Sequence, residues 1–356
     1  MHLALFLTSR FTSRLALALT ATLALTALPL QAATPALSTT NASAQDTINA
    51  LTKAQAAVVG VQVIAAEGAR SAQTLGKARS GSGVVIGTDG LIVTIGYLIL
   101  EADQIQITTV DKKIVPAQVV AYDLATGFGL IRPVVPLRGI APVPLGASQV
   151  TKTGESLMVS TGASSDDDAD VGMTQLVSKR AFSGYWEYHI DGALFTSPPM
   201  QNHSGAPLFN QKGELLGIGS LFVMDAMGEN VRLPGNMFVP VDLLKPIMSE
   251  MLQTGSSKPS KRPWLGLTSS EQGGRVQIVR INPDSPAQAA GLKVGDVVLA
   301  VDDAKVASLE MFYKKVWDRA SPEGEIKLTV LQGADLKTIT LKAVDRMSTM
   351  MKPAGI

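Results

Sequence analysis

"GSGVVIGTDG" (Gly81–Gly90) runs directly into "LIVTIGYLIL" (Leu91–Leu100). Two Val/Ile-rich runs meeting at a Thr-Asp-Gly turn read as a pair of strands. The pattern extends from Val58 to about Val241, in "VVGVQVIA", "DQIQITTV", "AQVVAY", "ESLMVS", "ELLGIGSLFV" and "NMFVPV", with Gly, Pro and Asp turns between. Many short strands at this spacing predict a mostly-β barrel or sandwich. Upstream, Gln45–Ala56 has helical spacing, with Ile48, Leu51 and Ala54 on one face. Downstream, Val241–Gln253 is helical with a kink or split at Pro246.

A second unit follows the "TGSSKPSKRP" stretch, which is a linker by composition. Its strands are "RVQIVRI", "VVLAVD" and "EIKLTVLQ". Its first helix has Ser285 as cap, Pro286 at the first position, Gln288 to complete a capping box and Gly291 as terminator. Its second runs from Ser308 to Arg319, with Leu309, Phe312 and Val316 on one face. The expected layout is a signal peptide over 1–32, a flexible leader over 33–44, a β-rich domain over 45–253, a linker over 254–262, the second domain over 263–346 and a tail over 347–356.

Composition narrows the function. Arg10 and Arg14, the apolar run Leu15–Leu28 and the small residues of "LPLQAA" read as an export signal, with an uncleaved anchor as the alternative. A net charge of +1 and the lack of a basic run argue against nucleic acid as a partner. The absence of cysteine excludes disulfide scaffolds and thiolate metal sites. Beyond the signal only His189 and His203 remain, so any imidazole chemistry must use one of them.

Several stretches, in order, resemble one family. "GSGVVIGTDGLIVT" is similar to the strand pair before the catalytic histidine of the HtrA (Deg) serine proteases, and "HSGAPLFNQKGELLGIGS" (His203–Ser220) to their nucleophile loop and next hairpin. "GNMFVPVD" (Gly235–Asp242) resembles their last barrel strand. "RPWLGL" (Arg262–Leu267) and "SPAQAAGLKVGDVVLAVD" (Ser285–Asp302) resemble their PDZ domain. The resemblance spans roughly residues 45 to 345 and implies a trypsin-like double β-barrel followed by a PDZ domain.

The triad positions depart from the family. The histidine position falls on Tyr97 and the aspartate position on Gly127, in "DLATGFGLI"; only Ser204 matches. A phenol titrating near ~10 is a poor proton acceptor at neutral pH, and no carboxylate remains to orient a base. His203 adjoins Ser204 and should point away from it, and His189 reads as a strand residue. Losing base or nucleophile alone costs a triad enzyme on the order of 10⁶ in rate. The family's oxyanion hole implies the backbone N–H groups of Ser204 and Asn202, with asparagine holding a left-handed backbone in place of glycine.

The other motifs weigh less. Asp166, Asp168 and Asp170 alternate as calcium ligands do, but Val171 and Val177 stand where an EF-hand loop needs Gly and Glu. A solvated acidic loop is expected, with no metal or cofactor. The thirteen methionines, "MSTMM" among them, read as core filler or a fraying tail. In the PDZ-like unit, the resemblance implies that "WLGL" (Trp264, Leu265, Gly266, Leu267) holds a terminal carboxylate through backbone N–H groups. Leu309, Phe312 and Val316 would then line the pocket for the last side chain, and Lys261 and Arg262 add positive charge. The alternative is that Trp264 and Leu267 seal an interface to the barrel.

Family members use early aromatics to trimerise, and Ala33–Gly96 contains no Phe, Tyr or Trp, which argues against a trimer. The resulting expectation is an exported, periplasmic HtrA-like pseudoprotease that binds unfolded or C-terminal polypeptide segments in envelope quality control. Two alternatives are a serine endopeptidase keeping activity through Ser204 and an adaptor for an active HtrA relative.

Overall fold

The computed structural model describes residues 38–164, 168–228, 231–319 and 321–351. The expected signal peptide, the first part of the leader, Asp166 and the last residues of the tail lie outside them. The rest of the leader is helical, because helix α1 spans Ser38–Ala56. No Gly or Pro interrupts that stretch, so the helix runs longer than the expected Gln45 start. On the expected apolar face Ala54 is buried and Leu51 packs against the core, whereas Ile48, nearer the helix start, is exposed. Gly213, on the turn of a later hairpin, packs so closely on this helix that a Cβ there would stand 2.6 Å from the Ala50 carbonyl.

Six strands close the first barrel: β1 (Val58–Ala65), β2 (Ala78–Val85), β3 (Ile92–Ile95), β4 (Ala102–Thr108), β5 (Ile114–Tyr122) and β6 (Phe128–Pro133). Their order around the barrel is β1-β2-β3-β6-β5-β4. The core includes Val61, Val84, Ile92, Ile107, Leu130 and Ile131, all at most 1 % exposed. Burial of each such side chain contributes about 2 kcal/mol. A one-turn helix, α2 (Ala72–Leu75), lies in the β1–β2 connection. The run Leu91–Leu100 is only half strand, since Gly96–Ile99 forms a helical turn, α3. The chain turns there because Gly96 sits against the Tyr122 ring, where a Cβ would approach to 2.3 Å, and donates to the Gly127 carbonyl at 2.7 Å.

A second closed barrel has β7 (Ser156–Ser160), β8 (Val171–Gly184), β9 (Tyr188–Ser197), β10 (Pro207–Phe209), β11 (Leu215–Val223) and β12 (Gly235–Pro240). Its order is β10-β11-β12-β9-β8-β7. The long β8–β9 hairpin projects beyond the barrel toward the C-terminal domain. After a 3₁₀ turn at Val241–Leu243, Pro246 separates that turn from α4 (Met248–Thr254), and Gly255 ends the helix in the left-handed region (φ 80°).

The C-terminal domain is one sheet in the order β13-β19-β18-β16-β15-β14, with β17 (Ala304–Lys305) paired to β16. Its strands are β13 (Pro263–Trp264), β14 (Leu267–Gln272), β15 (Arg275–Ile281), β16 (Val297–Val301), β18 (Gly324–Gln332) and β19 (Asp335–Asp345). Helices α5 (Pro286–Ala289) and α6 (Leu309–Trp317) cap as the sequence predicts: Ser285 Oγ accepts from Gln288 N–H and Ser308 Oγ from Met311 N–H. The Gln288 side chain accepts from Asp284 N–H at 2.8 Å, one residue beyond the N-cap N–H that the usual capping box takes.

The linker is docked. The buried Asp123 carboxylate accepts from the hydroxyls of Ser257 and Ser260 and from Ser257 N–H at 3.2 Å. Its other oxygen accepts from Thr126 N–H and Oγ at 2.8 and 2.6 Å. Arg262 is a buried clamp rather than a groove cation: its guanidinium lies 3.7 Å from the Trp317 ring centroid and donates to the carbonyls of Leu124 and Glu187. The tail also returns to the first barrel as far as Met351, whose N–H donates to Glu101 at 3.0 Å. Asp123→Ala would strand the buried hydroxyls of Ser257 and Ser260 and the half-buried hydroxyl of Thr126. It is expected to lower the unfolding free energy by about 3 kcal/mol in denaturant titration; a loss below about 1 kcal/mol would mean the linker is held by other contacts.

Candidate functional site

The seam between the barrels places Tyr97, from the helical turn after β3, against Ser204, from the loop before β10. Arg79 fixes the turn by donating to the carbonyls of Tyr97 (3.0 Å) and Leu100 (2.7 Å), which are free because the helix ends there. The serine loop is anchored to the first barrel through Ser82 N–H, which donates to the Ser204 carbonyl at 2.8 Å. Gly205 takes the left-handed backbone in this loop (φ 73°), and a Cβ there would meet the Ser82 carbonyl at 2.0 Å. Asn202 does not take it, contrary to the expectation, because the tight turn falls one residue after the serine.

Tyr97 Oη lies 2.8 Å from Ser204 Oγ and 2.9 Å from the Ser220 carbonyl. A phenol has one proton and a carbonyl only accepts. Both bonds close when Tyr97 donates to Ser220 and Ser204 donates to Tyr97. The serine proton thus points at a neutral phenol oxygen. Burial pushes the Tyr97 phenol up to about 12, against the opposing effect of the Ser204 hydrogen bond. At pH 7 roughly one molecule in 10⁵ is then ionised, too few to supply a general base.

The orienting position is occupied by something else. Gly127 is left-handed (φ 84°), and a Cβ there would stand 3.1 Å from the Tyr188 hydroxyl. Tyr188 is buried, donates to the Thr126 carbonyl at 2.6 Å, and has its phenol pushed up by desolvation. A side chain at 127 would press on that hydroxyl and would also need the left-handed backbone. Neither histidine reaches the serine. His203 Nδ1 bonds to the Gln201 carbonyl at 2.9 Å, and desolvation lowers its pKa. His189 lies in β9 between Ser183 (2.9 Å) and Asp191 (3.2 Å).

Beside Tyr97 a cavity of about 660 Å³ opens between the barrels and the C-terminal domain, within the usual size of ligand sites. Tyr97, Gly127, Trp186, Tyr188 and His203 line one side, and Trp264 and Leu267 the other. Those last two face the barrel across the cavity. Leu309, Phe312 and Val316 are at most 3 % exposed and belong to the core of the C-terminal domain, not to an open pocket. The helix that carries them is covered, with Tyr313 Oη donating to the Gly184 carbonyl at 2.9 Å.

The residue that sequence reasoning missed is Glu187. Its carboxylate, from the β8–β9 hairpin, accepts from Leu265 N–H (3.1 Å), Gly266 N–H (2.8 Å) and Leu267 N–H (2.8 Å). Gly266 is left-handed (φ 81°), and a Cβ there would strike Ser285 at 2.2 Å, which requires glycine for the loop to close. Desolvation pushes the Glu187 carboxyl up while the three N–H donors pull it down, and desolvation prevails. The sequence signal was one acid inside the aromatic run "YWEYHI". Among the described residues, His189, Asp191 and Glu310 are grouped closely enough to hold a metal, but Lys314 pairs with Asp191 (3.5 Å) and Glu310 (2.6 Å). Asp168 pairs with Lys112 at 2.8 Å.

Comparison with known proteins agrees with this architecture. Residues 81–218 match the trypsin-like peptidase domain and residues 263–343 the PDZ domain. A "Probable periplasmic serine endoprotease DegP-like" from Halomonas elongata is 26% identical over 280 residues, covering 74% of this chain and 56% of the relative. The "Serine endoprotease DegS" of Haemophilus influenzae is 24% identical over 262 residues, covering 71% and 73%. The chain spans about half the length of the DegP-like relatives it matches. Among solved structures, "HtrA-type protease AlgW with tripeptide" superposes with a TM-score of 0.52 at 20% identity, covering 87% of this chain and 99% of that one. The serine endoprotease from Yersinia pestis gives 0.51 at 22% identity, covering 84% and 97%. These structures share the fold. With both domains matched in the same order, the chain belongs to the HtrA family of trypsin-like peptidase domains joined to a PDZ domain.

Proposed function

We propose that this chain is a pseudoprotease of the HtrA family that binds unfolded or C-terminal polypeptide segments in the cell envelope, with a chaperone-like or regulatory role. The observation that carries the proposal is the 2.8 Å contact of Ser204 Oγ with Tyr97 Oη, at the position where the family's mechanism needs an imidazole. Tyr188 over Gly127 supports it, since the space for the third triad member is filled. Two features support the binding role: the cavity at the seam and a PDZ loop whose N–H groups converge on a carboxylate. The envelope location follows the relatives named as periplasmic and the signal-like start of the sequence.

Purified mature protein is expected to cleave casein no faster than Ser204→Ala. Tyr97→His alone is also expected to stay at that background, because no carboxylate orients the new imidazole. Serine-dependent turnover in the wild type contradicts the pseudoprotease function; turnover gained only by Tyr97→His would show that the missing imidazole alone silences Ser204. A chaperone-like role has its own readout, the light scattering of reduced lysozyme as it aggregates. At an equimolar ratio the wild type and Ser204→Ala should delay it equally. No delay, or a delay that Ser204→Ala abolishes, counts against binding independent of chemistry.

A further inference from the structure

The PDZ loop already holds a carboxylate. Three successive backbone N–H groups, those of Leu265, Gly266 and Leu267, converge on Glu187 at 2.8 to 3.1 Å. Two residues upstream, the Tyr185 carbonyl accepts from Ser269 N–H at 2.9 Å, two residues further along β14. Carboxylate at 265–267 and position −2 beside residue 269 is the register of an antiparallel strand added to β14. From the opposite wall, Tyr313 of α6 donates to the Gly184 carbonyl. The segment therefore lies between β14 and α6, where an extended peptide would lie.

A residue in mid-chain can place a carboxylate at this point only through its side chain, and its backbone must then turn away. Glu187 does so with a left-handed backbone (φ 58°), unusual for a residue with a long side chain, and the chain leaves directly into β9. The turn is held from outside by Arg262, which donates to the Glu187 carbonyl (3.2 Å), and by Arg346, which donates to the Trp186 carbonyl (3.3 Å). Glu187 is 4 % exposed and takes no part in the serine site.

We infer that Glu187 is the resident ligand of the PDZ domain: the Gly184–Glu187 segment fills the peptide groove in cis, and a free polypeptide C-terminus binds only by displacing it. Only the second half of this inference rests on the peptide-binding function proposed above.

The test uses the full mature chain as wild type, Glu187→Gln and Glu187→Gly. Glutamine keeps the size and loses the charge, and glycine accepts the left-handed backbone without strain. Fluorescein-labelled peptides of about ten residues ending in valine, with amidated controls, are followed by fluorescence polarisation. Both variants are expected to bind the free-acid peptides at least about tenfold more tightly than wild type, with no gain for amidated peptides. Hydrogen exchange at the amides of residues 265–267 is expected to accelerate in both variants without any peptide, while the barrel strands stay protected. Unchanged exchange at those amides, or wild-type affinity equal to that of the variants, overturns the inference. Faster exchange with no peptide bound to any of the three proteins upholds the resident ligand and instead overturns peptide binding as the function.

Discussion

A carboxylate removed from water must find donors for both oxygens, because leaving one unpaired costs several kcal/mol, about what separates a folded domain from an unfolded one. Asp123 meets this by gathering Thr126 on one oxygen and Ser257 and Ser260 on the other. The first group shapes the loop that holds Gly127; the second is the linker. The segment between the domains is therefore pinned to the loop that holds Gly127. The docking that follows, with Arg262 on Trp317 and Tyr313 on Gly184, assumes a linker fixed in this way.

Within that frame the serine site pairs Ser204 with a phenol. Ser204 is positioned by Ser82 and Gly205, and the phenol of Tyr97 fills the gap with a hydrogen bond of ordinary length. What is absent is a group that accepts a proton near neutral pH. A buried phenol is stabilised in its neutral form, so burial moves it further from that task. Tyr188 occupies the space over Gly127.

Much of this was legible in the sequence. Strand runs such as Val58–Ala65 and Arg275–Ile281, the Ser285 and Ser308 caps and the break at Pro246 are set by local periodicity and turn chemistry. Tyr97, Gly127 and Ser204 could be located because they sit beside motifs read over a few residues. Glu187 and Asp123 could not. Apart from Thr126, their partners lie 78 to 137 residues away, and no local pattern encodes which amides and hydroxyls will converge on a distant acid. The same limit misplaced Leu309, Phe312 and Val316: helical spacing shows that they face inward, not whether the groove above them is open. The composition of Thr254–Pro263 suggested a linker, and its serines gave no sign that two of them would be buried against an aspartate.

The central claim is that Ser204, paired with a phenol, is no longer a nucleophile. The most direct measurement is the rate at which a fluorophosphonate probe labels the purified mature protein, followed by intact mass and compared with Ser204→Ala. The two proteins should be labelled equally slowly. Rapid stoichiometric labelling that disappears in Ser204→Ala would show an activated serine and contradict the account.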